Sequence, residues 1–473
     1  MKENIVVMKF GGTSVEDAKS IERTAAIVRG RSERGLDPVV IVSAMAKVTD
    51  QLIAAANAAG RGDRTGALAI SARLRHRHIE TAAQLLDDTR FATMQLKMDA
   101  EFDSLDDLLR GIAAVEELTP RTSDLVLSFG ERLSSKMVAE VFEQRVMNSA
   151  HVDARDCIIT CNQHGRAIPQ PEHIEARLAE QVLPLIEQKK IPVMGGFIGS
   201  TIDGVTTTLG RGGSDYTAAL VGGGLHAGAI EIWTDVNGIM TTDPRICPDA
   251  LRVKTISFEE AAEMAYFGAK VLHPATILPA VQKNIPVCVL NSKNPENEGT
   301  RITATAPKCT SPFKCIAAKK RLTIIDIVSS GMLMSHGYLK AVFDIFDKHK
   351  VVIDMVTTSE VSISLTVDSN ENLSEVCADL GKIADVKYEA NKALVCLVGE
   401  DIRGHSGMAA QVFGAVKHIN VRMISQGASE INMSFMIEET DVEEAVRSLH
   451  KYFFATPDPA VFDVAARAVA VKA

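Results

Sequence analysis

No stretch of this 473-residue chain approaches the roughly 18 uninterrupted apolar residues of a membrane span. The opening MKENIVVMKFGG enters a strand at once and leaves no room for a signal peptide, so a cytoplasmic protein is expected. The eight cysteines, at 157, 161, 247, 288, 309, 315, 377 and 396, form no CxxC pair and have no companion histidine cluster. That spacing suits reduced packing thiols better than disulfides or structural zinc. Basic charge is also short. A net charge of −9 argues against a nucleic-acid surface, which needs concentrated Lys and Arg. The locally basic run Arg73-Leu74-Arg75-His76-Arg77-His78 lies in a helix-like segment and reads as a solvated face. Finally, there is no GxxxxGK[ST] loop and no GxGxxG loop, which makes the familiar nucleotide-binding folds poor candidates.

What is present describes an ordinary soluble globular protein: 46% hydrophobic and 23% charged residues, at a length that suggests about three domains. The chain is organised around Met194–Leu220, MGGFIGSTIDGVTTTLGRGGSDYTAAL. Within it, Thr206 to Asp215 gathers four hydroxyls, three glycines, an arginine and an aspartate just before an apolar run with helical character. Gly210, Gly212 and Gly213 let backbone N–H groups turn toward an anion, and the positive end of the following helix favours negative charge there. Arg211 adds a planar fork suited to a carboxylate or phosphate. The alternative is a Gly-rich turn that only joins strand to helix.

Around this loop, strands alternate with helices. Ile5–Met8 ends in Lys9-Phe10-Gly11-Gly12-Thr13-Ser14 before a helical pattern, and Val39–Ser43 is a second buried-looking strand. The alternation predicts a mostly parallel sheet covered on both faces. A lysine at a strand's carboxyl end beside a glycine pair is placed to reach a phosphate, or it is a surface lysine. Residues 64–118 read as a helical insertion of undisclosed role. Glu131, at the first turn of a predicted helix, is either a cap or a functional acid.

The motifs KFGGTSV (9–15), SFGERLSS (128–135), TTTLGRGGSDYTA (206–218), WTDVNGI (233–239), TTDPR (241–245) and FGAKVLHP (267–274) together resemble the aspartate kinases, of the amino acid kinase fold. The resemblance implies ATP-dependent phosphorylation of the β-carboxylate of aspartate. By it, Lys9, Asp215 and Lys270 would be catalytic, with Lys9 reaching the transferring phosphoryl group. Ser43, Thr49, Glu131, Phe197, Arg211, Ser214 and Asp215 would line the aspartate site, Arg211 on the α-carboxylate and Glu131 on the α-ammonium. Lys9, Gly11, Gly12, Thr234, Asp235, Met240, Arg245 and Lys270 would fall around ATP. Where many members of that family carry an aromatic residue near the adenine, this chain has Met240, whose thioether packs against a base edge. The chemistry agrees. A carboxylate attacking phosphorus needs no general base, only positioning and positive charge, and Mg²⁺ rides on phosphates and waters without a dedicated protein cage.

The last third holds an internal repeat. Ser359-Glu360-Val361-Ser362-Ile363-Ser364-Leu365 recurs as Ser429-Glu430-Ile431-Asn432-Met433-Ser434-Phe435, an offset of 70 from Glu360 to Glu430 at which Gly337 also matches Gly407. Each copy reads as a βαββαβ unit. In a kinase of this kind such units resemble ACT domains, so the expected class is α/β: an amino acid kinase fold, a mostly parallel sheet sandwiched by helices, followed by two ferredoxin-like ACT domains. The expected boundaries are 1–295 for the kinase, 296–320 for a linker, 321–390 for the first ACT domain, completed by 459–473, and 391–458 for the second. The first copy resembles the lysine-sensitive branch, which implies an effector site of Met332, Ser335, Gly337, Tyr338, Leu339, Asp354, Ser359, Glu360 and Val361. Asp354 and Glu360 would meet the cationic ends of lysine. Ile424 stands where the second copy would need Asp354, so that copy is expected to support edge-to-edge pairing into a homodimer or tetramer. The competing readings are another amino acid kinase, acting on glutamate or a carbamate, and an inactive ACT-type amino-acid sensor.

Overall fold

A computed structural model describes residues 2–267, 274–309, 311–332, 336–368 and 372–464. The chain divides into two compact units. The first comprises residues up to 239, 255–258 and the described residues from 274 to 306. Its eight-stranded sheet runs in the order Ser149–Val152, Ile191–Gly195, Asp37–Val42, Lys2–Phe10, Ala227–Thr234, Val287–Asn291, Thr300–Thr303, Thr255–Ser257. All neighbours are parallel except Val287–Asn291 with Thr300–Thr303. Lys2–Phe10 is a central strand, and Ile5 to Met8 and Phe10 are all buried, which is why it reads as a continuous apolar run and not as an alternating one.

The insertion is helical, as expected, over Arg64–Leu85 and Asp88–Val115. Leu74, Met98, Phe102 and Leu105 join a core with Leu52, Met137 and Phe142. The basic run is only partly a solvated face. Arg73 and His76 are exposed, but His78 is fully buried, and burial pushes its imidazole down to about 4. Arg77 also turns inward.

The second unit contains a six-stranded antiparallel sheet in the order Ile353–Thr358, Ser362–Val367, Phe313–Val328, Asp385–Gly399, Asn432–Glu438, Met423–Gln426. It is two four-stranded modules that share two long strands. Residues 323–328 and 385–389 serve the first module; residues 313–319 and 394–399 serve the second. The ladder shifts register between Lys319 and Ile324, where Arg321 and Asn391 both take positive φ (63° and 59°). The first module is thus inserted, in chain order, between strand 313–319 of the second and the rest of it.

Three expectations about boundaries change accordingly. Residues 296–320 are not a linker: Thr300–Thr303 belongs to the first sheet and Phe313–Lys319 closes the second module. The described part of the chain's end, residues 459–464, does not complete the first module, because Phe462–Asp463 pairs with Arg252–Val253; residues 465–473 lie outside the described residues. Residues 240–254 and 259–267, expected in the kinase block, pack in the second unit. They are held there by Ile316 N–H donating to Thr241 O, by Thr241 Oγ1 beside His450 Nε2 at 2.9 Å, and by a buried Lys314–Glu260 pair at 2.8 Å.

Candidate active site

Lys9 is the last residue but one of the central strand, and Asp215 lies in the first turn of helix Gly213–Leu225. The strand end and the helix start meet, with Lys9 Nζ 2.7 Å from Asp215 Oδ1 and both side chains mostly buried. Gly11 N–H donates to Trp233 O, which brings the glycine pair beside the end of Ala227–Thr234, and Thr234 O accepts from Ser292 N–H. Lys9, Asp215, Gly11, Gly12, Thr234 and Asp235 therefore gather at the carboxyl ends of adjacent parallel strands, where open α/β sheets bind ligands.

Glu131 approaches from helix Pro120–Gln144. Its Oε1 accepts from Ala44 N–H at 3.1 Å, while Oε2 is buried with no hydrogen-bond partner among the described residues. Burial raises its carboxyl to about 8, against the opposing bond from Ala44. A buried acid with one idle oxygen is prepared for a cation. Gly195 and Gly196 make the close packing possible. A Cβ at Gly195 would lie 2.9 Å from Glu131 Cβ, and one at Gly196 would lie 2.6 Å from Ser214 Cβ. These glycines let Glu131, Ser214 and the following Phe197 share one wall.

Phe197 itself adopts φ 64°, a conformation costly for a residue with a side chain. It persists because Thr217 Oγ1 accepts its N–H at 3.0 Å and its carbonyl accepts from Leu209 N–H. Ser43 N–H is tied to Phe10 O, and Ser43 and Thr49 are both partly exposed along the turn that carries Ala44. Arg211 is exposed and makes no ion pair among the described residues, so its guanidinium is available to an anion.

Asp124 was missed by the sequence reading. It is buried and accepts from Thr208 Oγ1 (2.6 Å), from Gly165 N–H (3.0 Å) and from His164 Nδ1 (2.8 Å). The signal was its place two helical turns before Glu131, on the same face of the helix.

The remaining nucleotide-side residues lie in the second unit. Met240 bridges to Arg252, and Arg245 is exposed with its guanidinium in two-point contact with Asp243. Lys270 lies outside the described residues, as does Ser335 of the effector set.

In the first module, Ser329 N–H donates to Val361 O and Met332 N–H to Ser329 O, which joins the half-buried Met332 to the turn Ser359–Val361. Gly337 begins the helix Tyr338–Lys348, Tyr338 Oη donates to Ile383 O at 3.4 Å, and Leu339 is exposed. Asp354 does not join this group. It sits at the other end of strand Ile353–Thr358 from Glu360, roughly 15–20 Å away at the usual rise per residue, and is paired with Lys319. The expectation that both acids meet one lysine is not met within the chain.

Comparison with known proteins agrees with this fold. Residues 4–291 match the amino acid kinase family, and residues 325–374 and 395–453 match the ACT domain. The chain is 38% identical over 465 residues to the lysine-sensitive aspartokinase 3 of Escherichia coli, covering 95% of this chain and 99% of that protein. It is 36% identical to the chloroplastic aspartokinase 1 of Arabidopsis thaliana, over 96% of this chain and 80% of that one. The crystal structure of E. coli aspartokinase III in complex with aspartate and ADP superposes with a TM-score of 0.83 at 37% identity, over 95% of this chain and all of that one. The complex of the same enzyme with lysine and aspartate gives 0.81 over the same shares.

Proposed function

The chain belongs to the amino acid kinase family, among the aspartokinases, and from that premise we propose that the pocket around Lys9, Asp215 and Glu131 transfers the terminal phosphoryl group of ATP to the β-carboxylate of L-aspartate. The observation that carries this reading is the buried Lys9–Asp215 pair beside a buried Glu131 with an idle oxygen. It offers positive charge for a phosphoryl group and negative charge for an α-ammonium within one wall of residues.

Glu131 Oε2 receives the α-ammonium and Arg211 the α-carboxylate, with Ser43, Thr49, Phe197 and Ser214 around the rest of the substrate. Asp215 orients Lys9 toward the phosphoryl group, where its charge matters most as bonds to phosphorus loosen. By the family's pattern, Thr234 and Asp235 serve ATP in the first unit, and the same pattern assigns Met240 and Arg245 of the second unit, together with Lys270, to the nucleotide. Were Mg²⁺ bound with the nucleotide it would neutralise phosphate charge, and Asp215, the carboxylate beside Lys9, would be the residue to meet it.

Regulation by lysine through the first ACT module is supported by the Met332–Val361 cluster and by the E. coli enzyme solved with lysine. Pairing into a homodimer or tetramer through the ACT domains, expected of the second module, is supported instead at the first by the exposed Leu339, Phe343, Val352 and Val361. No helix among the described residues is long and apolar enough to cross a membrane.

The test is ADP release from MgATP with aspartate, glutamate or carbamate as acceptor, with and without lysine or threonine. Turnover with aspartate alone, suppressed by lysine, is expected. Turnover with another acceptor and none with aspartate would overturn the reading.

A further inference from the structure

The helical insertion reaches the turns beside the site through Arg77. Arg77, midway along helix Arg64–Leu85, donates from Nη1 to Ala46 O at 2.7 Å and from Nη2 to Glu16 O at 2.9 Å. Its partners are backbone carbonyls of two different turns. One follows Lys9 and carries Gly11 to Ser14; the other follows Val42 and carries Ser43, Ala44 and Thr49. The second turn is also bonded to the first, because Ala46 N–H donates to Gly12 O at 3.1 Å. Ala46 thus gives its N–H to one turn and its carbonyl to Arg77, while Arg77's other amino group returns to the chain four residues after Gly12. Gly12, Ala46, Arg77 and Glu16 form a closed circuit.

The circuit borders both halves of the site. On one side, Gly11 and Gly12 follow the lysine paired with Asp215. On the other, Ala44 N–H holds Glu131 Oε1, and Lys47 takes φ 66° at the start of helix Val48–Gly60. A positive φ at a lysine is strained and persists only where neighbouring bonds fix it. Arg77 supplies such a bond at the adjoining carbonyl. Only a guanidinium is shaped to hold both carbonyls, because its amino groups diverge in a rigid plane, whereas a lysine ammonium is a single point on a flexible stem.

We propose that Arg77 is a positioning residue for phosphoryl transfer: it ties the Gly11–Ser14 turn to the Ser43–Thr49 turn and so fixes the distance between the lysine that meets the phosphoryl group and the residues that hold the acceptor amino acid. This rests on the reading of Lys9, Ser43, Thr49 and Glu131 given above. Arg77 touches neither substrate; it acts through Ala46 and Glu16. Small displacements of reacting groups are costly in rate, so loss of the clamp lowers turnover even in a folded protein.

The test compares Arg77→Ala and Arg77→Lys with the unaltered full chain. The expected result is a fall in kcat/KM for aspartate of about 30-fold for both. Melting temperature and circular dichroism stay near those of the unaltered chain for Arg77→Lys, which keeps the charge. Added guanidinium ion at low, non-denaturing concentration restores a measurable part of the activity of Arg77→Ala and none of that of Arg77→Lys. Amide hydrogen exchange speeds up in Gly12–Ser14 and Ala44–Lys47 together. Kinetic constants of Arg77→Lys equal to those of the unaltered chain overturn the proposal, as does loss of activity in step with loss of folded protein and without rescue. If the unaltered chain does not phosphorylate aspartate, the functional reading fails on its own; an active chain with an indifferent Arg77→Lys sinks only this one.

Discussion

Lys319 Nζ lies 2.9 Å from Asp354 Oδ2, and Asp354 also accepts from Tyr266 Oη at 3.3 Å. The acid expected to greet a free lysine already holds a lysine of its own chain. Lys319 is shared with Asp368 at 3.2 Å and packs 5.8 Å over the Tyr266 ring.

An effector ammonium that uses Asp354 must displace this internal one, so Lys319 weakens the effector by competition. Lys319→Met is expected to lower the lysine concentration for half-inhibition about fivefold, in keeping with loss of a partly exposed ion pair. Asp354→Ala is expected to abolish the response. Initial rates across a lysine titration check both, and an unchanged midpoint in Lys319→Met would mean that the effector's ammonium lands elsewhere.

At Lys9, the neighbouring carboxylate is the prediction. Asp215→Asn removes the charge that aims the ammonium, and kcat is expected to drop by about 10²–10³ with a much smaller change in KM for aspartate, the pattern for an interaction made chiefly in the transition state. Lys9→Ala is expected to remove turnover while lysine binding to the first ACT module, followed by calorimetry, persists. Parallel loss of both would indicate misfolding.

The site's local part was legible because each motif sits on a strand end or helix start whose chemistry has few uses: Lys9 before two glycines, Arg211 and Asp215 around Gly212 and Gly213. Long-range partners were not. Arg77 lies 31 and 61 residues from its two carbonyls, and Lys319 lies 35 residues from Asp354. The interleaving of the two modules was hidden for a related reason. Phe313-Lys314-Cys315-Ile316-Ala317-Ala318-Lys319-Lys320 looks like charged linker, but Lys314 is 1% exposed because Glu260 pairs with it. A buried charge reads as a surface residue until its partner is known, and that partner comes from a distant helix. The repeat gave two modules correctly, yet nothing in a linear offset says that one is threaded through the other.

Asp124 accepts bonds from three residues, so its removal strands the buried Thr208 hydroxyl and also frees the less buried His164 Nδ1 and Gly165 N–H. Asp124→Ala is expected to cost about 3 kcal/mol in thermal or denaturant unfolding. It should also raise KM for aspartate, because Thr208 and Gly165 brace the hairpin that leads to Arg211. A loss of stability with KM unchanged would show that the clamp does not order the substrate loop.

Glu131 links substrate affinity to folding stability with opposite signs. Its carboxyl is pushed from the usual 4.5 up to about 8, chiefly by desolvation. In the folded, empty protein it is therefore mostly protonated at neutral pH, while in the unfolded chain it is ionised. Its contribution to stability is fully present below about 4.5, declines as pH rises through about 8, and is flat beyond. Each pKa unit is worth about 1.4 kcal/mol, so Glu131→Gln is expected to stabilise the protein by a few kcal/mol at pH 9 and hardly at all at pH 4.5. Aspartate binding runs the other way, because its α-ammonium requires the carboxylate. KM for aspartate should fall on the order of tenfold between pH 6.5 and 8.5 in the unaltered chain. In Glu131→Gln it should be raised about 10- to 100-fold, as expected for a lost bond to a charged group, and should be level across that range. Melting curves and KM measured over the same pH series test both halves. A variant that loses stability at pH 9, or keeps the pH dependence of KM, would mean that the charge at this position is not what the substrate's ammonium meets.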